Sequence, residues 1–432
     1  MREQAAPLVF TSSQDDTRLV IEGGRPLEGA VTVSGSKNAT MGAMAAALLV
    51  DEDCHLTNVP AIGDVGHMAA ILRSLGAVVE PTSANSLRIS ARDITSTSPP
   101  TELVGNLRAS FLVMGALLSR VGRAGCSPPG GDVIGQRPID VHLAGFAAMG
   151  ANVGREGEKY VAETAGLRGA RVFADYPSVL GTQNLMLAAA TAEGTTTIVN
   201  AAAEPEVQGL AAMLNSMGAR IGGAGSHTVT IEGVERLHAT EHHIIPDRLE
   251  AGTFAIAAAV TGGRVEVRAV EVDHLFSLIA KMREAGVRID EDGDRLIVAR
   301  DGELRSITVQ ALPYPGLATD LQSPMAVLLT QAKGVSYVHE RVFDNRLLYV
   351  GELRKMGAEV VTTGTTTAII SGPTPLIGSS VRALDVRAGA ALILAGLAAS
   401  GRTEIADVYH VDRGYERIAE KLRGLGAEIE RI

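Results

Sequence analysis

One phrase occurs six times along this chain, and no other feature restricts the fold as much. A helical pattern ends on a hydrophobic residue, a glycine follows, and a Val/Ile-rich run begins within two residues. It reads LRSLGAVVE around Gly76, FAAMGANVG around Gly150, LNSMGARIG around Gly218, MREAGVRID around Gly286, LRKMGAEVV around Gly357 and LRGLGAEIE around Gly426. These glycines lie 74, 68, 68, 71 and 69 residues apart, so the 432 residues divide almost evenly by six. Glycine is the residue that takes the left-handed position just past a helix C-terminus, and the alternation after it predicts a strand.

About half-way between those glycines a second phrase recurs. A long Ala/Leu helix runs into a strand, usually through a Gly turn, as in AAATAEGTTTIVNAA near 190, AAAVTGGRVEVRAV near 260, LLTQAKGVSYVHERV near 330 and LAGLAASGRTEIADV near 395. These helices are apolar nearly all round, which predicts that they are buried centrally with sheets packed over them. Each unit is then a mixed β/α fold with two helices. A solenoid is the alternative for any long repeat, but solenoid units usually run about 20 to 50 residues, and a unit near 70 is large enough to close into a globule. A chain of 432 residues exceeds what one core supports, so six units grouped three and three give two domains.

Composition removes several classes of function. Hydrophobic residues at 46 % and charged residues at 20 % are a globular balance, and no stretch approaches the roughly 20 uninterrupted apolar residues of a membrane span. The opening MREQAAPLVFTSSQDDTR reads as a polar tail rather than a signal peptide, which predicts a cytoplasmic protein. Cys54 and Cys126 are the only cysteines, so there is neither a disulfide framework nor a metal-type Cys spacing. The paired His242 and His243 lack an accompanying carboxylate spacing and are expected to be structural. A net charge of −10, no Trp and 3 % aromatics disfavour nucleic acid and anionic membranes as partners. An anionic ligand must therefore be met by a local cluster of Lys and Arg.

Beyond the repeat, six collinear stretches carry a resemblance: VSGSKNATMGAMAAALL at 33–49, RASFLVMGALL at 108–118, GQRPIDVHLAGFAAMGA at 135–151, PDRLEAGTF at 246–254, ATDLQ at 318–322 and YHVDRGYERI at 409–418. Together they resemble the enolpyruvyl transferase family, from Leu19 to Ile432. The resemblance implies an inside-out α/β barrel: two domains of three β/α repeats, helices inside and sheets outside, closing over substrate. It implies residues 1–36 plus 247–432 as a discontinuous domain and 37–246 as an inserted one, with a mobile loop near 123–135 and with Lys37 and Arg248 at the hinge. The implied reaction passes the enolpyruvyl group of phosphoenolpyruvate to the 3-hydroxyl of UDP-N-acetylglucosamine, without metal or organic cofactor.

Phosphoenolpyruvate carries a phosphate and a carboxylate, and the nucleotide sugar adds a diphosphate, so the site needs several cations, with Arg suited to bidentate grip. The resemblance assigns Lys37, Arg137 and Arg413 to phosphoenolpyruvate, Arg387 to its carboxylate and Arg108 to the nucleotide sugar. It places Asn38 on the sugar, Arg137, Pro138, Ile139, Asp140 and Val141 on the uridine, Ser178 in the nucleotide segment and Val342 near the sugar's amide. Asp320 matches the general base that takes the hydroxyl proton; the plain alternative is a cap on a helix beginning at Leu321.

Three departures from the family pattern stand out. Asp132, in CSPPGGDVIGQRP, occupies a loop position where most relatives place a proton-donating Cys. An Asp donates a proton too, but it is not alkylated as a thiolate is, which predicts resistance to fosfomycin. Cys126 is expected to be a buried strand residue rather than a displaced nucleophile. Tyr176 and Leu180 stand where many relatives have Lys and Gly, which bears on nucleotide specificity, and Ala318 stands where the family has Pro. Transfer to another nucleotide acceptor, or a silent binder of nucleotide sugars, are the rival readings; the oligomeric state is not legible.

Overall fold

The computed structural model describes residues 17–132, 134–135 and 138–432. Contacts divide the chain into two units. One comprises Gly35–Gly131 and Pro138–Ile245; the other comprises Pro246–Ile432 with the described parts of Thr11–Ser34 and Asp132–Arg137. Short backbone bonds mark both crossings: Ser36 N donates to Ile245 O at 2.8 Å in the first unit, and Asp247 N donates to Ser34 O at 2.9 Å in the second. The sequence expectation places the whole of 123–135 in the inserted domain, whereas Asp132, Ile134 and Gly135 group with the second unit. The loop also starts later than expected. Arg123–Cys126 is a strand paired antiparallel with Lys159–Glu163, because the chain buries Ala124 and Cys126 there.

Among the described residues the architecture is mixed α/β, with three sheets and six longer helices in each unit. In chain order the helices are α1 (Lys37–Ala46), α2 (Gly63–Ser74), α3 (Val113–Val121), α4 (Asp140–Ala148), α5 (Val179–Ala189), α6 (Pro205–Ser216), α7 (Arg248–Thr261), α8 (Phe276–Glu284), α9 (Gln322–Thr330), α10 (Tyr349–Lys355), α11 (Val386–Ala398) and α12 (Ile418–Gly424). The odd-numbered helices are the Ala/Leu phrases. All nine residues of α9 are buried, as are Leu249 to Val260 of α7 and Val386 to Leu397 of α11. In the second unit α7, α9 and α11 pack on one another; in the first, α3 packs on α5. A buried side chain such as Phe254 contributes about 1.5–3 kcal/mol by leaving water.

The even-numbered helices bury one face, as α8 illustrates by burying only Leu278, Ile279 and Met282. Each ends two residues before a phrase glycine. All six of these glycines have positive φ, at 105°, 91°, 104°, 96°, 86° and 91° in chain order, as a left-handed helix stop requires.

The strands repeat as regularly as the helices. The strand after α7, Arg264–Arg268, pairs parallel with Glu28–Thr32 and antiparallel with Arg295–Ala299, which turns back onto Arg288–Asp292. The strand after α9, Gly334–Glu340, repeats this with Thr308–Ala311, Thr367–Gly372 and Val360–Thr363. In the last repeat the chain's first described strand, Leu19–Glu22, lies between Arg402–Ala406 and Glu428–Arg431, so the two ends of the chain complete one sheet. The sheet containing Arg123–Cys126 has three strands and the other five have four. No helix among the described residues is long and apolar enough to cross a membrane.

Candidate active site

In the second unit the charged groups gather around the start of α9. Asp320 sits in a short 3-10 turn, Thr319–Leu321, and its side chain does not cap α9. Its carboxylate is instead gripped by two arginines: Oδ1 accepts from Arg346 Nη2 at 2.7 Å and Oδ2 accepts from Arg387 Nε at 2.9 Å. The arginine side chains are only 5 % and 3 % exposed, against 23 % for Asp320.

Arg387 is the second residue of α11, placed by the N-cap Asp385, whose side chain accepts from Arg387 N and Ala388 N. Its guanidinium lies 5.1 Å from the Tyr415 ring centre. Among the described residues, Nε is the nitrogen that donates to Asp320; Nη1 and Nη2 are buried and make no well-aligned hydrogen bond, though the Tyr415 hydroxyl interacts with the guanidinium. Buried donors left unpaired are costly, so a cation oriented in this way is suited to an incoming bidentate anion. Elsewhere in the unit Arg413 Nη1 donates to Asp132 Oδ1 at 2.7 Å, with both side chains 14 % exposed. Val342 is exposed, and its backbone N–H donates to Glu340 Oε1 at 2.8 Å.

In the first unit, Ser36 caps α1 by accepting from Ala39 N, which sets Lys37 and Asn38 on the first turn. The Lys37 ammonium is 3.1 Å from Asp64 Oδ2, and the Asp64 side chain is only 2 % exposed. Arg108 Nη2 donates to Pro138 O at 3.3 Å, and Tyr176 Oη donates to the same carbonyl at 3.1 Å. Pro138 and Asp140 are exposed and Ile139 is half-buried, whereas the Val141 side chain is buried at 6 %. Ser178 caps α5, its Oγ accepting from Gly181 N at 3.0 Å. The predicted ligand Arg137 lies outside the described residues.

Beneath this surface Asn184 fixes the state of His142. Asn184 Oδ1 accepts from Gly115 N, so its Nδ2 faces Phe111 O and His142 Nδ1 and donates to both. His142 Nδ1 is then an acceptor and the ring is neutral. Burial, with the nearby Arg108 charge, pushes the His142 pKa down to about 3.

The structure thus brings Asp320 and Arg387 together, pairs Asp132 with Arg413, and gathers Arg108, Pro138 and Tyr176. Cys126 is a buried strand residue, as expected, and burial raises its thiol to about 12. His243 bonds Thr57 through Nδ1 on a short strand, which fits a structural part. Sequence reasoning missed Asp64, Thr319, Glu340, Arg346 and Tyr415. Arg346 had a signal, a cation in FDNRLLYV next to an apolar run, whereas Asp64 in the first turn of α2 looks like an ordinary helix-dipole carboxylate.

The family model of EPSP synthase (3-phosphoshikimate 1-carboxyvinyltransferase) matches residues 21–422. The chain belongs to this family of enolpyruvyl-transferring enzymes. UDP-N-acetylglucosamine 1-carboxyvinyltransferase 1 of Caldanaerobacter subterraneus subsp. tengcongensis is 48 % identical over 96 % of this chain and 99 % of its own. UDP-N-acetylglucosamine 1-carboxyvinyltransferase 2 of Carboxydothermus hydrogenoformans is 49 % identical over the same shares. Among solved structures, the enolpyruvyl transferase NikO from Streptomyces tendae superposes with a TM-score of 0.87 at 27 % identity, covering 96 % of this chain and 98 % of that one. An EPSP synthase from Acinetobacter baumannii shares the fold, with a TM-score of 0.74 at 19 % identity, covering 96 % of this chain and 100 % of that one.

Proposed function

We propose that this chain transfers the enolpyruvyl group of phosphoenolpyruvate to the 3-hydroxyl of UDP-N-acetylglucosamine in the cytoplasm, releasing phosphate in the first committed step of peptidoglycan synthesis. The observation that carries the reading is Asp320 held between two buried guanidiniums, one of which keeps two buried NH2 groups without a well-aligned hydrogen bond among the described residues. The relatives' shared name supports the acceptor.

Asp320 takes the proton of the sugar hydroxyl as its oxygen bonds to C2 of phosphoenolpyruvate, while Asp132 supplies a proton to C3. Arg387 grips the substrate carboxylate through Nη1 and Nη2, and Lys37, Arg137 and Arg413 meet the phosphate, stabilising the tetrahedral intermediate. Arg413 exchanges Asp132 for the phosphate, which frees Asp132 for its proton. Cleavage of the C2–O bond to phosphate, which leaves with the proton held on Asp320, and return of a C3 proton to Asp132 give the enolpyruvyl ether and restore both carboxyl groups. Asn38 and Val342 contact the sugar, Arg108 and Ser178 the nucleotide, and Pro138, Ile139, Asp140 and Val141 the uridine, Val141 through its backbone.

The test is phosphate release from phosphoenolpyruvate with UDP-N-acetylglucosamine, UMP or shikimate 3-phosphate as acceptor, with and without fosfomycin. Release with the UDP-sugar alone, undiminished by the drug, is expected. Release only with another acceptor moves the protein to a different pathway, and no release with any of them contradicts the reading. Asp132→Cys is expected to retain turnover and become drug-sensitive.

A further inference from the structure

Asp320 does not hold its arginines alone. Behind Arg346 runs a chain of hydrogen bonds with a fixed polarity. The Glu340 carboxylate accepts the Thr319 hydroxyl proton at 2.6 Å through Oε2. Because that proton is spent on Glu340, the Thr319 oxygen faces Arg346 Nη1 as an acceptor, at 2.9 Å. Arg346 then presents Nη2 to Asp320. The other Glu340 oxygen accepts the backbone N–H groups of Val342 and Phe343, at 2.8 and 3.2 Å. Glu340 is itself 1 % exposed at the end of the strand Gly334–Glu340, so its position is set by the sheet. Asp385 and Tyr349 are the other ionisable groups that act on this chain, and Arg387 is the second cation on Asp320.

We infer that Glu340 is a positioning residue for the transfer reaction: through Thr319 it orients Arg346, and thereby the lone pairs of Asp320, while its second oxygen fixes the turn that carries Val342. A carboxylate is required because it accepts on both oxygens. An amide at this place keeps one acceptor for the turn, but aims N–H donors at a hydroxyl that already accepts from Arg346. The inference rests on Asp320 being the base.

The experiment is steady-state kinetics on Glu340→Gln, Thr319→Val and Thr319→Ser, with thermal melting of each. Glu340→Gln is expected to lower kcat about tenfold or more with KM for both substrates within about twofold, the mark of an interaction expressed in the transition state. Thr319→Val is expected to match it, Thr319→Ser to restore most of kcat, and Glu340→Gln with Thr319→Val together to be no worse than either alone. Wild-type kcat in Glu340→Gln, or Thr319→Ser as impaired as Thr319→Val, overturns the inference. So does a loss of activity that only follows a loss of folded protein. Asp320→Asn run beside them separates the two ideas: full activity there sinks the role of Asp320 itself, whereas an inactive Asp320→Asn with an unaffected Glu340→Gln sinks only the positioning role.

Discussion

Three buried side chains show how the fold sets chemistry one residue at a time. His142 is neutral because Asn184 must donate to it and because water cannot reach it. Its folded pKa, about 3, lies below the ordinary 6.5, so the unfolded chain takes up the proton first. The stability it supports is complete above about pH 6.5 and falls as pH drops toward 3, by up to about 1.4 kcal/mol per unit. Denaturant midpoints between pH 7 and 5 are expected to show this slope and to lose it in His142→Asn; a His142 resonance titrating near 6.5 contradicts it. The two cysteines are the other case. Burial raises both thiols, Cys126 to about 12, so the native chain is expected to take up no iodoacetamide at pH 8 and to gain two adducts once denatured, read by intact mass. An adduct on native Cys126 contradicts its placement.

The repeat was legible at the scale of the element because its punctuation is chemical. Six glycines at even spacing marked six helix ends, and each adopts the predicted left-handed conformation. The burial of the Ala-rich helices followed equally from their lack of a polar face. What the sequence left hidden is pairing over distance: that Leu19–Glu22 joins strands beyond residue 400, that Asp320 meets residues 26 and 67 positions further along, and that Arg123–Cys126 pairs with Lys159–Glu163. The helix ends give a graded prediction. At Gly218 an added methyl meets nothing within 4 Å, so Gly218→Ala is expected to lose only the conformational term, about 1–2 kcal/mol. At Gly76 the methyl collides with Asp93 O as well, so Gly76→Ala is expected to lose more. Equal losses in urea melts contradict the ranking.

Over the whole molecule the net charge is −10, yet the chemistry asks for anionic substrates. The fold resolves this locally: carboxylates hold cations in place, the buried Asp64 on Lys37 and the partly exposed Asp320 on the buried Arg346 and Arg387. Composition announced that such clusters must exist and the resemblance named most of the cations. The resemblance also named Asp320, whereas Asp64 and Glu340 stayed invisible because an isolated Asp or Glu reads as surface charge until the fold buries it. The central claim is enolpyruvyl transfer to a UDP-sugar with Asp320 as base. Its most direct measurement pairs phosphate release with the mass of the nucleotide sugar after incubation with phosphoenolpyruvate, for the wild type and for Asp320→Asn. One enolpyruvyl adduct on UDP-N-acetylglucosamine per phosphate is predicted, with turnover in Asp320→Asn reduced by a factor of about 100 or more. Phosphate without adduct, or undiminished turnover in Asp320→Asn, contradicts the account.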